Sequence, residues 1–86
     1  MSQVWMVHEV QAESLHFQAD SDSHIVKGLI SLLLSLYSGR SSAEVLEIDI
    51  EHVFQSIGLD QHLSPNRRNG FYSMVGRIRG VAEANS

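Results

Sequence analysis

A strongly apolar stretch near the middle of the chain limits the folds open to it more than any other feature. Eight of the twelve residues from 25 to 36 are large aliphatics: Ile25, Val26, Leu29, Ile30, Leu32, Leu33, Leu34 and Leu36. Lys27 interrupts the stretch, which is also too short to span a bilayer. A helix that is apolar nearly all round must be covered on more than one side, so the rest of the chain has to supply that cover.

The two ends of this helix are marked by residues with known preferences. Residues 20–23 read Asp-Ser-Asp-Ser, and such side chains cap the free amide groups at a helix N-terminus, where carboxylates also meet the positive end of the dipole. Gly39 is predicted to end the helix.

Two strands are predicted ahead of the helix. Residues 14–20 alternate between apolar and polar side chains, which is typical of a half-buried strand, and residues 3–10 are rich in valine. If the turn at residues 10–13 centres on Ala12, Trp5 and Val7 share the core face with Leu15, Phe17 and Ala19. The opposite face would then carry Val4, Met6, His8 and Val10.

A third long element follows two short helical pieces, predicted at residues 42–46 and 51–57. Ser64 is predicted to cap the last helix and Pro65 to occupy its first position, where no amide hydrogen is needed. One apolar stripe recurs along it at three- and four-residue spacing: Phe71, Met74, Val75, Ile78, Val81 and Ala82. We therefore expect one α+β domain over residues 1–86, with an antiparallel hairpin or small sheet packed against helices.

Composition excludes several functions. The 86 residues hold no cysteine, so they provide no disulfide, no thiolate metal site and no cysteine nucleophile. A net charge of −4 argues against dedicated nucleic-acid binding. We also expect no membrane span, and the absence of a basic and apolar leader predicts a cytoplasmic protein.

Charge is unevenly distributed along the chain. Residues 1–60 hold nine acidic residues against two basic ones, whereas residues 61–86 hold four arginines against Glu83. Arg67 and Arg68 fall in the first turn of the last helix, where the dipole disfavours a positive charge. Either they are surface arginines, or an anionic group is held nearby, from Asp20, Asp22 or another protein.

Histidines and carboxylates form no catalytic pattern in the sequence. With a turn centred on Ala12, His8 and His16 would face each other across the hairpin, but two imidazoles need a third ligand and Asp20 lies too far along the sheet. The sequence shows no serine, histidine and aspartate arranged as in a known catalytic triad, and no glycine-rich phosphate-binding loop. The sequence predicts no metal, no cofactor and no enzymatic activity.

Five groups of residues, spread in order over nearly the whole chain, form a recognisable pattern: Ser2-Gln3-Val4-Trp5, Asp20-Ser21-Asp22, Ile25-Val26-Lys27-Gly28-Leu29-Ile30, Gln61-His62-Leu63-Ser64-Pro65 with Arg67 and Gly70, and Met74 with Arg77-Ile78-Arg79. Together they resemble the SufE family of sulfur acceptors in iron–sulfur cluster assembly, which includes the related CsdE. The resemblance implies a SufE-like fold without the N-terminal helices and extra strand of the family.

The resemblance also implies where sulfur chemistry takes place. Family members carry a loop Gly-Cys-x-Ser-x-Val-Trp, whose cysteine receives a persulfide from a pyridoxal-phosphate cysteine desulfurase and passes the sulfur to a cluster scaffold. Here Met1 occupies the variable position before Ser2, so that cysteine would fall one residue before Met1. A persulfide needs a thiolate, and neither Met1 nor Ser2 provides one.

What the resemblance still implies is docking on a desulfurase of the SufS or CsdA type. The family's sulfur-transfer surface corresponds here to Ser2, Gln3, Asp20, Asp22 and Arg67. Three hypotheses remain open: a SufE-like accessory protein that binds a desulfurase without accepting sulfur, a stand-alone protein of the same fold with another binding role, or a fragment of an ordinary SufE acceptor.

The amount of apolar surface predicts a second kind of partner, another copy of the same chain. Val4, Met6 and Val10 on one hairpin face, together with part of the helix over residues 25–36, leave more apolar surface than this chain can cover. Each such side chain left in water costs about 1.5–3 kcal/mol. An open strand edge adds unpaired backbone groups. We therefore expect a symmetric homodimer with these residues in its interface.

Overall fold

The computed structural model describes residues 4–85, apart from the side chain of Asp60. Within that range the helices and strands follow in this order: β1 (Val4–Gln11), β2 (Ser14–Ser21), α1 (His24–Tyr37), β3 (Arg40–Ser41), α2 (Ser42–Glu47), α3 (Ile50–Ser56), a 3₁₀ turn (Leu59–Gln61) and α4 (Pro65–Ala84). The strands form one antiparallel sheet in the order β1-β2-β3. Helices α1 and α4 pack together, with α1 against β2 and α4 against α2. The predicted α+β class is confirmed.

The hairpin turn contains two residues rather than being centred on one. Gln11 pairs with Ser14, so Ala12 and Glu13 alone form the turn. Ala12 has a φ of 54°, in the left-handed region that two-residue hairpin turns require. The prediction of a turn centred on Ala12 is therefore wrong. The turn is centred between Ala12 and Glu13, and each residue of β1 pairs with a residue of β2 one position further along than predicted.

This shift exchanges the two faces of β1, because side chains alternate along a strand. Met6 pairs with Ala19 and His8 with Phe17, so the set Val4, Met6, His8 and Val10 shares the inner face with the core residues of β2. Trp5 and Val7 lie instead on the outer face, so the predicted core face of β1 is wrong.

The same shift separates the two hairpin histidines. His16 pairs with Glu9 and His8 pairs with Phe17, so the imidazoles lie on opposite faces of the sheet. The predicted face-to-face arrangement of His8 and His16 is therefore wrong.

Helix α1 begins with a serine cap. The Ser23 hydroxyl accepts a hydrogen bond from the Val26 amide at 3.4 Å, whereas the Asp20 carboxylate accepts one from the Ser21 amide at 2.7 Å. The helix ends as predicted near Gly39, whose φ is 82° and whose amide donates to the Leu15 carbonyl at 2.7 Å. This bond joins the end of α1 to β2.

Much of the apolar surface of α1 is covered within the single chain. Leu29, Ile30, Leu33 and Tyr37 are buried, and four more of its aliphatic residues pack partly against the core: Val26, Leu32, Leu34 and Leu36. Ile25 in the first turn remains exposed. The expected cover on more than one side comes from β2 and α4.

The short helices and α4 have well-defined starts. Ser41 and Glu44 form a reciprocal capping box at α2, and the hydrogen bond from the Ser41 amide lowers the pKa of the Glu44 carboxyl. Ser64 caps α4 by accepting from the Arg67 amide, with Pro65 in the first turn, as predicted. The predicted stripe is buried except Val81, which is half-buried.

The core joins the sheet to both long helices. Leu15 and Phe17 from β2 pack with the buried residues of α1, α2, α3 and α4. Three rings lie beside one another where α3 meets α4: Phe54 and Phe71 have centroids 5.1 Å apart, and Tyr72 meets the edge of Phe71 at 5.7 Å. No helix among residues 4–85 is both long and apolar enough to cross a membrane.

Tyr37 provides the first testable prediction. Its side chain is fully buried, and its hydroxyl has no hydrogen-bond partner among the described residues. Burial raises the pKa of this hydroxyl, and the positive charge of Arg79 lowers it to a smaller extent. An unsatisfied buried hydroxyl is costly, so Tyr37→Phe should raise the free energy of unfolding by about 1 kcal/mol. Urea denaturation measures this change. A loss of stability in the variant would contradict the prediction and show that the hydroxyl is hydrogen-bonded.

Candidate functional site

Three elements meet at one end of the molecule and enclose a cavity of about 560 Å³. It lies where β1, α1 and α4 each begin. Val4 contributes from β1 and Val26 and Leu29 from α1. A larger set comes from the N-cap and first half of α4: Ser64, Asn66, Arg67, Gly70, Phe71 and Met74. The walls are therefore apolar on the β1 and α1 sides and polar at the N-terminus of α4.

Arg67 gives this cavity its charge. Its side chain is half-buried and lines the cavity, while its amide is bonded to the Ser64 cap at 3.4 Å. No acidic residue is among the described residues that line the cavity. The positive charge of the guanidinium and the positive end of the α4 dipole therefore act on the same cavity, which is suited to a carboxylate or another anion.

The structure brings together only some of the predicted docking residues. Arg67 lines the cavity, and so does Val4, which was predicted for a dimer interface. Asp20 is on the outer face of the hairpin, opposite Trp5, and its carboxylate lies 3.7 Å from the Lys27 ammonium. Asp22 is exposed in the link between β2 and α1. Ser2 and Gln3 lie outside the described residues.

Sequence reasoning missed part of the lining. Val26 and Leu29 were expected only as core positions of α1, and Asn66 and Gly70 had no assigned role beyond the helix. The available signal was the helical spacing itself. Asn66, Gly70 and Met74 recur every four residues, so they lie along the same side of α4.

The described residues offer binding rather than metal chemistry. Among residues 4–85, no three histidine, aspartate or glutamate side chains come together as a metal site. The arrangement around Arg67 provides one cationic donor group, a helix N-terminus and apolar walls, which together suit recognition of an acidic, partly apolar surface.

Comparison with protein families decides the relationship. The model of the SufE family, described as an Fe-S metabolism associated domain, matches residues 1–82. The chain belongs to the SufE family. The resemblance seen in the sequence is thus confirmed over nearly the full chain, and SufE membership relates the protein to iron–sulfur metabolism.

Two curated relatives agree with this assignment. An uncharacterised SufE-like protein of Rhizobium meliloti (strain 1021) is 42% identical over 86 aligned positions, covering 95% of this chain and 61% of the relative. An uncharacterised SufE-like protein of Rhizobium etli is also 42% identical, covering 95% of this chain and 58% of that protein. The chain therefore spans about three-fifths of the length of these relatives.

Proposed function

We propose that these residues form a SufE-like interaction module that docks on a cysteine desulfurase through the cavity around Arg67, without itself accepting persulfide sulfur. The observation that carries the proposal is the position of Arg67. It lies at the positive end of α4, beside the apolar Val4, Val26 and Leu29, with no lining carboxylate among the described residues.

Electrostatics favours an anionic group on the partner. A cation in the first turn of a helix is destabilising by about 0.3–1 kcal/mol, and an anion placed there is favoured by a similar amount. An acidic side chain of the desulfurase that reaches the cavity would gain a charge-assisted hydrogen bond from Arg67 and the field of the helix together. The resemblance also implies that the family's sulfur-transfer surface lies around the same arginine, which supports the proposal.

The chemistry of sulfur transfer argues for docking alone. A persulfide forms on a thiolate, and the 86 residues contain no cysteine. We therefore propose a non-catalytic role for this sequence, as a modulator of a desulfurase or a competitor for its docking surface, acting in the cytoplasm.

Isothermal titration of the chain into a SufS-type cysteine desulfurase tests the proposal. Arg67→Ala should weaken binding about 10–100-fold, since a hydrogen bond to a charged group contributes about 1.5–3 kcal/mol. Asp22→Ala is also expected to weaken binding, because the resemblance assigns Asp22 to the same surface.

Arg77→Ala is the matched control. Arg77 is an exposed arginine on the same helix, ten residues and about 15 Å further along. It should leave the affinity within twofold of the unchanged chain. Absence of heat with the desulfurase, or equal weakening by Arg67→Ala and Arg77→Ala, would overturn the proposed docking site.

Self-association is also proposed. Val4 and Val10 remain exposed in the single chain and Met6 is half-buried, which supports the predicted dimer interface on β1. From α1, we expect chiefly the exposed first-turn residue Ile25 to contribute to this dimer interface. Most of the other aliphatic residues of the helix are already covered within one copy. Sedimentation equilibrium at micromolar concentration tests self-association, and a folded 9.6 kDa monomer would overturn it.

A further inference from the structure

Three glycines in helix α4 have no explanation within the described part of the chain. Gly70, Gly76 and Gly80 lie in the interior of a 20-residue helix, where glycine is the least favourable residue after proline. None of them has a positive φ. A Cβ built on any of them would meet no atom within 4 Å beyond the backbone of its own turn, among the described residues. Neither backbone conformation nor internal packing therefore accounts for the missing side chains.

The three glycines differ in what surrounds them. Gly70 lines the cavity around Arg67, and Gly80 lines a separate cavity further along the helix. Gly76 lines neither of these two cavities, although it is exposed like Gly70. Gly76 is therefore an internal reference for Gly70, because the two residues share a helix and an exposed position and differ in their distance from Arg67.

The helix itself fixes how Gly70 lies relative to Arg67. Residues three and four positions apart are neighbours on a helix surface, so Gly70 lies beside both Arg67 and Asn66. A helical side chain leans toward the N-terminus and covers the turn before its own Cα. A side chain at position 70 would therefore cover the turn that carries Arg67, and glycine leaves the backbone of that turn open to an approaching group.

Charge indicates which kind of group approaches. Arg67 and the positive end of α4 act on the same cavity, and no carboxylate lies among its described lining residues. An aspartate or glutamate of a partner that reaches the guanidinium brings its own backbone with it. Because Gly70 is a neighbour of Arg67 on the helix surface, that backbone passes over α4 next to position 70.

We propose that Gly70 lets an acidic segment of the desulfurase lie directly on the α4 backbone while its carboxylate bonds to Arg67. This inference rests on the docking proposed above and adds a second residue to the same site. Gly70 acts through the space it leaves, since a partner approaches the backbone most closely where there is no Cβ. Its Cα hydrogens also offer weak contacts to oxygen atoms of the partner. Even a methyl group at position 70 would hold the segment away from the guanidinium.

Substitutions of increasing size at Gly70 and Gly76 separate this role from helix stability. Alanine at either position should raise the urea midpoint of unfolding, because alanine favours the helix and restricts the unfolded chain. In titrations with a SufS-type cysteine desulfurase, Gly70→Ala should weaken binding about fivefold and Gly70→Leu about fiftyfold, since an added side chain forces closely packed surfaces apart. Gly76→Ala and Gly76→Leu should leave the affinity within about twofold of the unchanged chain. A residue that served the fold alone would not give a more stable variant with a lower affinity.

The possible failures of this experiment are distinguishable. Equal affinities of the Gly70 and Gly76 variants, with Arg67→Ala still weakening binding, would overturn the role of Gly70 and leave the docking site in place. A urea midpoint lowered by Gly70→Ala but not by Gly76→Ala would show that the chain's own residues fill the space over Gly70, and would overturn the inference as well. Absence of heat with the unchanged chain would overturn the docking on which the inference rests.

Discussion

Replacing Phe71 with alanine is expected to remove a large part of the stability of the fold. Phe71 is fully buried, its ring contacts those of Phe54 and Tyr72, and it also forms one wall of the Arg67 cavity. A buried phenylalanine truncated to alanine costs about 3–5 kcal/mol, because the cavity left behind does not fully collapse. A chain of this size is stable by only about 4–13 kcal/mol.

Urea denaturation followed by circular dichroism measures this loss. Ile57→Ala is the control, because Ile57 is a large aliphatic residue that is 51% exposed, and its truncation should change the unfolding free energy by no more than about 0.5 kcal/mol. A cost below about 1 kcal/mol for Phe71→Ala would contradict its place in the core.

The helix boundaries could be predicted because local chemistry decides them. Ser64 with Pro65 is a start signal whose reason lies in the free amides of the first turn, and the structure uses both residues there. Gly39 and Gly58 have φ values of 82° and 78°, which glycine adopts without strain. These signals need no knowledge of the tertiary fold.

The hairpin register could not be predicted from the same kind of signal. The turn contains Ala12 and Glu13 instead of the asparagine–glycine pair that marks a two-residue turn, so nothing in the sequence fixes its centre. Val4, Met6 and Val10 are apolar, and so are Trp5 and Val7. With apolar residues on both faces of β1, its pattern does not say which face is inner, and the buried side is decided by pairing with β2.

The cavity depends on tertiary contacts for a similar reason. Arg67 stood out in the sequence because its charge opposes the dipole of its own helix. Its neighbours Val4, Val26 and Leu29 come from distant segments that meet only after β1, α1 and α4 have packed. Sequence reasoning therefore identified the charged residue of the site and missed its apolar walls.

Adding Gly-Cys directly before Met1 is expected to convert the chain into a sulfur acceptor. The resemblance places the family's cysteine at that position, next to the variable residue that Met1 represents here. The new thiolate would attack the terminal sulfur of the desulfurase persulfide. The sulfur–sulfur bond on the desulfurase breaks, its cysteine leaves as a thiolate, and the persulfide is now on the extended chain.

Mass spectrometry after incubation with a cysteine desulfurase and free cysteine measures the transfer. The extended chain should gain the mass of one sulfur atom, reversibly under reduction, whereas the unchanged chain and a Gly-Ser extension should gain none. Arg67→Ala in the extended chain should slow the transfer by the same factor by which it weakens binding, because the arginine acts through docking and not through the sulfur. An extended chain that binds the desulfurase but acquires no sulfur would show that the Arg67 cavity does not orient the start of the chain toward the donor. Rapid transfer that is unaffected by Arg67→Ala would show that docking uses another surface.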